Sequence, residues 1–276
     1  MMYTKYMVLL MLYFFKAGGK QMSIIYEPKG KALEYSELAV NLFSGCSHEC
    51  TYCYCPSIRR MTLEKWAKNP HPRKNVLKLL VNDAKKICGD KREILLSFMS
   101  DPYHSAEASK YTHDALEIME KYNLRVQILT KNPQDALKDI EIIKRNNWKI
   151  ATTAIFFTES KKKEFEKNTP SMDSRFMAMN IFNKNKIKTW VSIEPIIDLE
   201  EAMLVINRMK VVDLIKIGRW NYDKRANEIN WEYVADQTSS LCRSLNVSYY
   251  IKNDLFKYAN DKTRLFGQSW KSKNKK

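Results

Sequence analysis

The chain is poor in the residues that punctuate or staple a fold, with seven glycines, eight prolines and six cysteines in 276 residues. No Pro-, Gly- or Ser-rich stretch reads as a linker and no segment repeats at a fixed period, which argues against tethered modules or a solenoid. A 45% hydrophobic fraction suffices for one packed core, so a single domain with loose ends at both termini is expected. The apolar run at residues 7–15 (MVLLMLYFF), preceded by Lys5, is too short to span a bilayer. It has the look of a signal-peptide core, yet no small-x-small cleavage site follows. With Met22 as a second possible start, residues 1–21 are read as an extension outside the fold, and residues 22–260 as the domain. A membrane anchor is the lesser reading, so no stable membrane association is expected.

The cysteines are unevenly placed. Four fall between 46 and 55, while Cys88 and Cys242 stand alone. A disulfide-stapled secreted domain would spread them, so crowding reads as metal ligation in a reducing compartment, the cytoplasm. Charge is one-sided as well: 47 Lys and Arg against 31 Asp and Glu give +16. That balance fits a phosphate-rich partner, although a general bias toward Lys and Asn would give the same sum. The densest runs are residues 161–163 and the tail at 261–276, which reads as a solvated basic segment.

From residue 38 onward short apolar runs alternate with helical patterns. Strands are expected at 38–43, 93–99, 125–129, within 148–157, and at 189–193, 212–217 and 247–251. Helices are expected at 73–88, 107–122, 135–146, 171–183, 199–209 and 231–245. Such alternation predicts an α/β chain with a parallel sheet, a partial or full (β/α) barrel, with a doubly wound open sheet as the runner-up. In either architecture ligands gather at the carboxyl ends of the strands. The polar residues there become candidates: Ser100 and Asp101, Thr130 and Lys131, Glu194 and Lys216.

The first expected strand runs into Gly45-Cys46-Ser47-His48-Glu49-Cys50-Thr51-Tyr52-Cys53-Tyr54-Cys55, spaced C-x3-C-x2-C. A cubane cluster takes four thiolates. Three from one tight loop leave one iron open to a cofactor or substrate. Two other readings stand beside this one: zinc held by the three cysteines with His48 or Cys55, and an electron carrier completed by Cys55.

This spacing, with an aromatic residue before the third cysteine, resembles the radical S-adenosylmethionine (radical SAM) superfamily. The stretches Tyr26-Glu27-Pro28-Lys29-Gly30 and Asn41-Leu42-Phe43-Ser44-Gly45-Cys46 resemble its spore photoproduct lyase-like branch, over roughly residues 22–255. The resemblance implies that Cys46, Cys50 and Cys53 hold a 4Fe-4S cluster. It implies that S-adenosylmethionine chelates the fourth iron and is reductively cleaved to a 5′-deoxyadenosyl radical, which takes a hydrogen atom from the substrate. It further implies cofactor contacts from Tyr52, Ser100, Asp101, Thr130, Lys131, Thr152 and Glu194. Tyr52 and Tyr54 would pack near the adenine or relay a hydrogen atom. An electron donor such as flavodoxin or ferredoxin would be a partner. The chain departs from the branch at Phe98-Met99-Ser100-Asp101, where its namesake carries Cys-Thr-Ser-Asp and uses that cysteine to return a hydrogen atom. Thymine-dimer reversal by that route is therefore not expected, and Cys55, Cys88 or Cys242 would have to substitute. The leading expectation is a nucleic-acid substrate, for repair or modification. The alternatives are a peptide or small-metabolite substrate, or a non-catalytic zinc- or cluster-binding module.

Overall fold

The computed structural model describes residues 23–260; the expectations for residues 1–21 and 261–276 lie outside the described residues. Ten strands form among the described residues: β1 (Ile25–Tyr26), β2 (Leu38–Val40), β3 (Phe43–Ser44), β4 (His71–Pro72), β5 (Glu93–Leu96), β6 (Arg125–Thr130), β7 (Lys149–Thr153), β8 (Lys188–Ile196), β9 (Leu214–Arg219) and β10 (Tyr249–Ile251). Eight of them build one sheet in the order β1-β2-β5-β6-β7-β8-β9-β10. From β2 onward every neighbour in it is parallel, and β1 alone runs antiparallel on the edge. β1 and β10 stand at opposite edges of the sheet, so it is an open, partial (β/α) barrel.

The helices are α1 (Cys55–Ile58), α2 (Leu63–Lys68), α3 (Val76–Lys86), α4 (Ala106–Lys121), α5 (Ile140–Arg145), α6 (Glu159–Phe165), α7 (Met172–Lys184), α8 (Leu199–Met209), α9 (Trp231–Ser244) and α10 (Asn253–Phe256). Their limits follow from local chemistry. Ser105, Ser171, Asp198 and Asn230 each cap a helix by accepting a backbone N–H three residues on, satisfying a donor the first turn leaves orphaned. α8 buries Ala202, Val205, Ile206 and Met209, a stripe at helical spacing.

Strand alternation sorts side chains between two apolar layers. Ile94, Val126, Ile128, Ile150, Val191 and Ile193 join the main core under the helices. Ala39, Leu95, Ala151 and Trp190 face the barrel interior, with Tyr35, Phe98, Leu129 and Leu214 against them. No helix among the described residues is long and apolar enough to cross a membrane.

Two expectations about elements need correction. The run 38–43 is not one strand: β2 belongs to the large sheet and β3 pairs with β4. Asn41 divides them, its Oδ1 accepting the backbone N–H of Phe98 and of Met99, each at 2.9 Å. The helix expected at 135–146 begins as a 3-10 turn over residues 135–139. The short helices α1, α2 and α6 were not foreseen, being too brief for periodicity to show.

Candidate active site

The cysteine loop leaves β3 at the carboxyl end of the parallel strands. Gly45, at φ +93°, opens it, a left-handed conformation that glycine adopts without penalty. A Cβ there would lie 2.6 Å from Pro70 Cα and 2.8 Å from the Trp66 carbonyl oxygen. Cys46 N–H donates to that same carbonyl at 3.3 Å, and Cys53 N–H donates to the Cys50 carbonyl at 3.1 Å. Cys50 is buried, and Cys46 and Cys53 are partly exposed.

Burial pushes the Cys46 thiol up to about 12, with the Asp101 charge adding to the effect. Burial also raises Cys50, with Glu166, Cys46 and Cys53 contributing and Lys131 opposing. A hydrogen bond from Cys55 brings Cys53 down to about 7. The thiols therefore lie close enough to feel one another's charge, and metal binding would displace their protons.

A second segment straps the loop from outside. Cys50 and Glu166 form an isolated antiparallel bridge. Thr51 N–H donates to Phe165 O at 2.9 Å, and Asn168 N–H to His48 O at 3.2 Å. Beneath this strap Glu166 is fully buried and pairs with the almost fully buried Arg175 at 2.5 Å. The Tyr52 hydroxyl donates to Glu166 Oε1. Burial opposes the charge on Glu166, but Arg175, Lys131 and the Tyr52 hydroxyl outweigh it and hold the carboxyl below its ordinary range.

The strand ends close the site. The Ser100 hydroxyl donates to the Gly45 carbonyl at 2.6 Å, tying the β5 turn to the start of the loop. Asp101 accepts from Tyr103 N–H at 2.9 Å, from Thr130 Oγ1 at 2.6 Å and from Lys131 N–H at 2.6 Å. His48 Nδ1 lies 3.5 Å from Asp101 Oδ2 and has no hydrogen-bond partner. Burial drives the His48 ring down to about 4, against the pull of Asp101, so it is neutral near pH 7. The Lys131 ammonium lies 5.4 Å from the centre of the Tyr52 ring and forms no ion pair with a described residue. Burial opposes its charge, yet Cys50, Glu166 and Asp101 keep its pKa raised.

The structure thus brings Cys46, Cys50, Cys53, Tyr52, Ser100, Asp101, Thr130 and Lys131 into one connected cluster. Tyr54 sits at its rim, 40% exposed, its hydroxyl donating to Phe98 O at 2.8 Å. Thr152 is the in-register strand partner of Thr130. It alternates with Ala151, an interior residue, so Thr152 faces the helix layer and Thr153 takes the interior side. Glu194 belongs to a neighbouring group, accepting from the Tyr35 hydroxyl and from Lys252 at 2.6 Å. Its cationic partner is Lys252, and the Lys216 ammonium lies 4.2 Å from the Trp190 ring centre. The edge-to-face contact of Tyr35 on Phe98, with centroids 5.9 Å apart, joins the two groups.

Of the cysteines that could replace the missing hydrogen donor, Cys55 alone reaches this region. Its thiol donates to Phe98 O at 3.6 Å, while Cys88 is exposed and Cys242 is buried within α9. Sequence reasoning missed Glu166, Arg175, Tyr35 and Lys252, because polar and charged residues in loops and helices carry no local mark of burial.

Three thiols on one loop suit ligation of an iron–sulfur cluster with one iron left open. A single tetrahedral zinc needs four ligands at close range. The candidate fourth ligand His48 faces Asp101 instead, its Nδ1 3.5 Å from Oδ2. The Lys131 ammonium beside them suits a carboxylate of a second cofactor.

Comparison with known proteins agrees with this chemistry. Residues 40–201, more than half of the chain, match the family model described as the Radical SAM superfamily. An uncharacterized protein of Methanocaldococcus jannaschii is 29% identical over 179 residues, which cover 63% of this chain and 66% of that protein. Among solved structures, a spore photoproduct lyase mutant with bound AdoMet and dinucleoside spore photoproduct matches with a TM-score of 0.60 at 14% identity, covering 85% of this chain and 80% of that one. Streptococcus suis SuiB bound to the precursor peptide SuiA matches with a TM-score of 0.54 at 16% identity, covering 80% and 49%. The chain belongs to the radical SAM superfamily.

Proposed function

Starting from that membership, we propose that the protein is an enzyme that reductively cleaves S-adenosylmethionine and acts on a nucleic acid. The observation that carries the reading is the convergence of the C-x3-C-x2-C loop with Lys131 and the Ser100–Asp101 turn at one mouth of the barrel. Cys46, Cys50 and Cys53 would hold a 4Fe-4S cluster, which, with S-adenosylmethionine bound, supplies an electron for sulfonium cleavage to a 5′-deoxyadenosyl radical.

The chain's own residues do the rest. Lys131 offers a desolvated positive charge to the methionine carboxylate, where water screens it little. Ser100 spends its proton on Gly45 and keeps its lone pairs to accept from an amino group. Asp101 gathers N–H and O–H donors from three residues and so fixes the ends of β5 and β6 around the ligand. Tyr54, Phe98 and Tyr35 present aromatic surface at the mouth, which excludes water and accepts a flat ring by stacking. A nucleic-acid substrate is supported by the net charge of +16 and by that surface.

The test is anaerobic reconstitution with iron and sulfide, addition of dithionite and S-adenosylmethionine, and quantification of 5′-deoxyadenosine. Wild type is expected to form it and the triple variant Cys46→Ala, Cys50→Ala, Cys53→Ala to form none. Equal yields from the two proteins would sink the proposal.

A further inference from the structure

Between residues 57 and 78 seven Lys and Arg stand against one acid, Glu64. Arg59, Arg60, Lys65, Lys68, Lys74 and Lys78 are exposed and form no ion pair with a described residue. Arginines elsewhere are committed: Arg92, Arg145, Arg175, Arg208 and Arg225 each hold a carboxylate. This basic segment is pinned to the cysteine loop. Gly45 packs against Trp66 and Pro70, Cys46 donates to the Trp66 carbonyl, and β4 pairs with β3. Among the basic side chains stand two apolar ones, Ile58 at 61% and Met61 at 37% exposure, with Tyr54 adjacent at the mouth.

We propose that this strap, residues 57–78, is the track on which the backbone of a single-stranded nucleic acid lies, delivering a base to the mouth beside Tyr54. The proposal rests on the nucleic-acid reading given above and names the surface that reading requires. Exposed cations in one segment, with no ion pair to a described residue, suit phosphates, and the two guanidinium groups suit phosphate oxygens in fork geometry. Ile58, Met61 and Tyr54 offer the apolar and aromatic faces on which unstacked bases settle. A folded acidic protein would instead require a broad apolar patch ringed by charge, and two exposed apolar side chains among six cations do not make one.

The test is fluorescence anisotropy with a labelled oligonucleotide, single-stranded DNA in one arm and RNA in the other, across a salt series. It uses the full chain with its cluster reconstituted. The strap variant carries Arg59→Gln, Arg60→Gln, Lys65→Gln and Lys68→Gln. A control variant removes the same charge at the opposite ends of the strands, with Lys121→Gln, Lys184→Gln, Lys186→Gln and Lys188→Gln. The strap variant should bind about tenfold or more weakly at low salt, its log–log salt slope shallower by about 3, at ~0.7 per lost phosphate contact. The control should stay close to wild type.

If wild type shows no salt-dependent binding to either polymer, the nucleic-acid reading fails and this surface with it. If wild type binds and the strap variant binds equally well, the surface is wrong and the reading stands. Equal losses in both variants would mean net charge alone, which overturns the proposal. It is also overturned if the strap variant binds the oligonucleotide normally but slows cleavage driven by flavodoxin and not by dithionite, because the track then serves an acidic electron donor. Should the quadruple variant lose iron, the pair Arg59→Gln and Arg60→Gln is read in its place, with half the change in slope.

Discussion

The chemistry of this protein is concentrated in a few side chains whose neighbours decide what they do. Glu166 and Arg175 form an ion pair with almost no access to water, and the cost of burying two charges is met by a dense set of partners. Arg175 donates to Thr153 O at 2.8 Å and to Thr169 Oγ1 at 2.6 Å. The pair is a positioning device, since Glu166 receives the Tyr52 hydroxyl and Tyr52 lies beneath Lys131. Glu166→Ala strands a buried guanidinium and should lower stability by about 3–5 kcal/mol in urea unfolding. Glu166→Gln combined with Arg175→Met, which removes both charges, should recover part of that loss. If the double variant is no more stable than Glu166→Ala, the pairing account is wrong. Cys55 makes a separate case. Its thiol lies against both Cys53 and Phe98 O, outside the C-x3-C-x2-C spacing, so Cys55→Ala should keep full iron and sulfide content while Cys50→Ala loses it. Lys216 supplies a pH signature. Burial, with Lys149 and Lys252 nearby, lowers its pKa to about 7. Between roughly pH 10 and 7 the unfolded chain takes up this proton and the folded one does not, so stability falls by a few kcal/mol as pH drops through that window. Lys216→Met should flatten the profile there, as followed by thermal unfolding at a series of pH values.

At the scale of elements, the site is a loop clamped between two segments. One is the run from Trp66 to Pro70, and the other is residues 165–168 after α6. Gly45 is the point of closest approach. Gly45→Ala would place a methyl within 2.6 Å of Pro70 Cα at a φ of +93°, so it should cut reconstituted iron to a minor fraction of wild type while far-UV circular dichroism changes little. Full iron loading in that variant would show that the clamp is dispensable. The helices and strands of the main sheet were legible in the sequence because each is long enough to display its period, as α8 does at 199–209. The three cysteines stand out in the sequence by their spacing, and Ser100, Asp101, Thr130 and Lys131 as polar residues at the ends of parallel strands, which a parallel sheet sends to one place. What lay hidden were features set by distant contacts. Asn41 reads as an ordinary polar residue within a strand until the β5 turn arrives to bond it. Thr152 and Thr153 cannot be told apart until the neighbouring strands define the interior face. Lys252 meets Glu194 only when the strand edge is folded round.

For the whole molecule, an open eight-stranded sheet leaves one mouth, and the cysteine loop, the aromatic residues and the basic strap all border it. Net charge alone says little about function; the proposed track is the part of it pinned beside the loop. The central claim is that three thiolates hold a cluster whose fourth iron is free to take S-adenosylmethionine beside Lys131. Electron paramagnetic resonance of the dithionite-reduced, reconstituted protein tests this most directly, recorded before and after S-adenosylmethionine is added. The account predicts a reduced-cluster signal that changes shape on addition in wild type, and a signal that responds much more weakly in Lys131→Ala. A cluster signal indifferent to S-adenosylmethionine, or a protein that retains zinc and no iron, would contradict it.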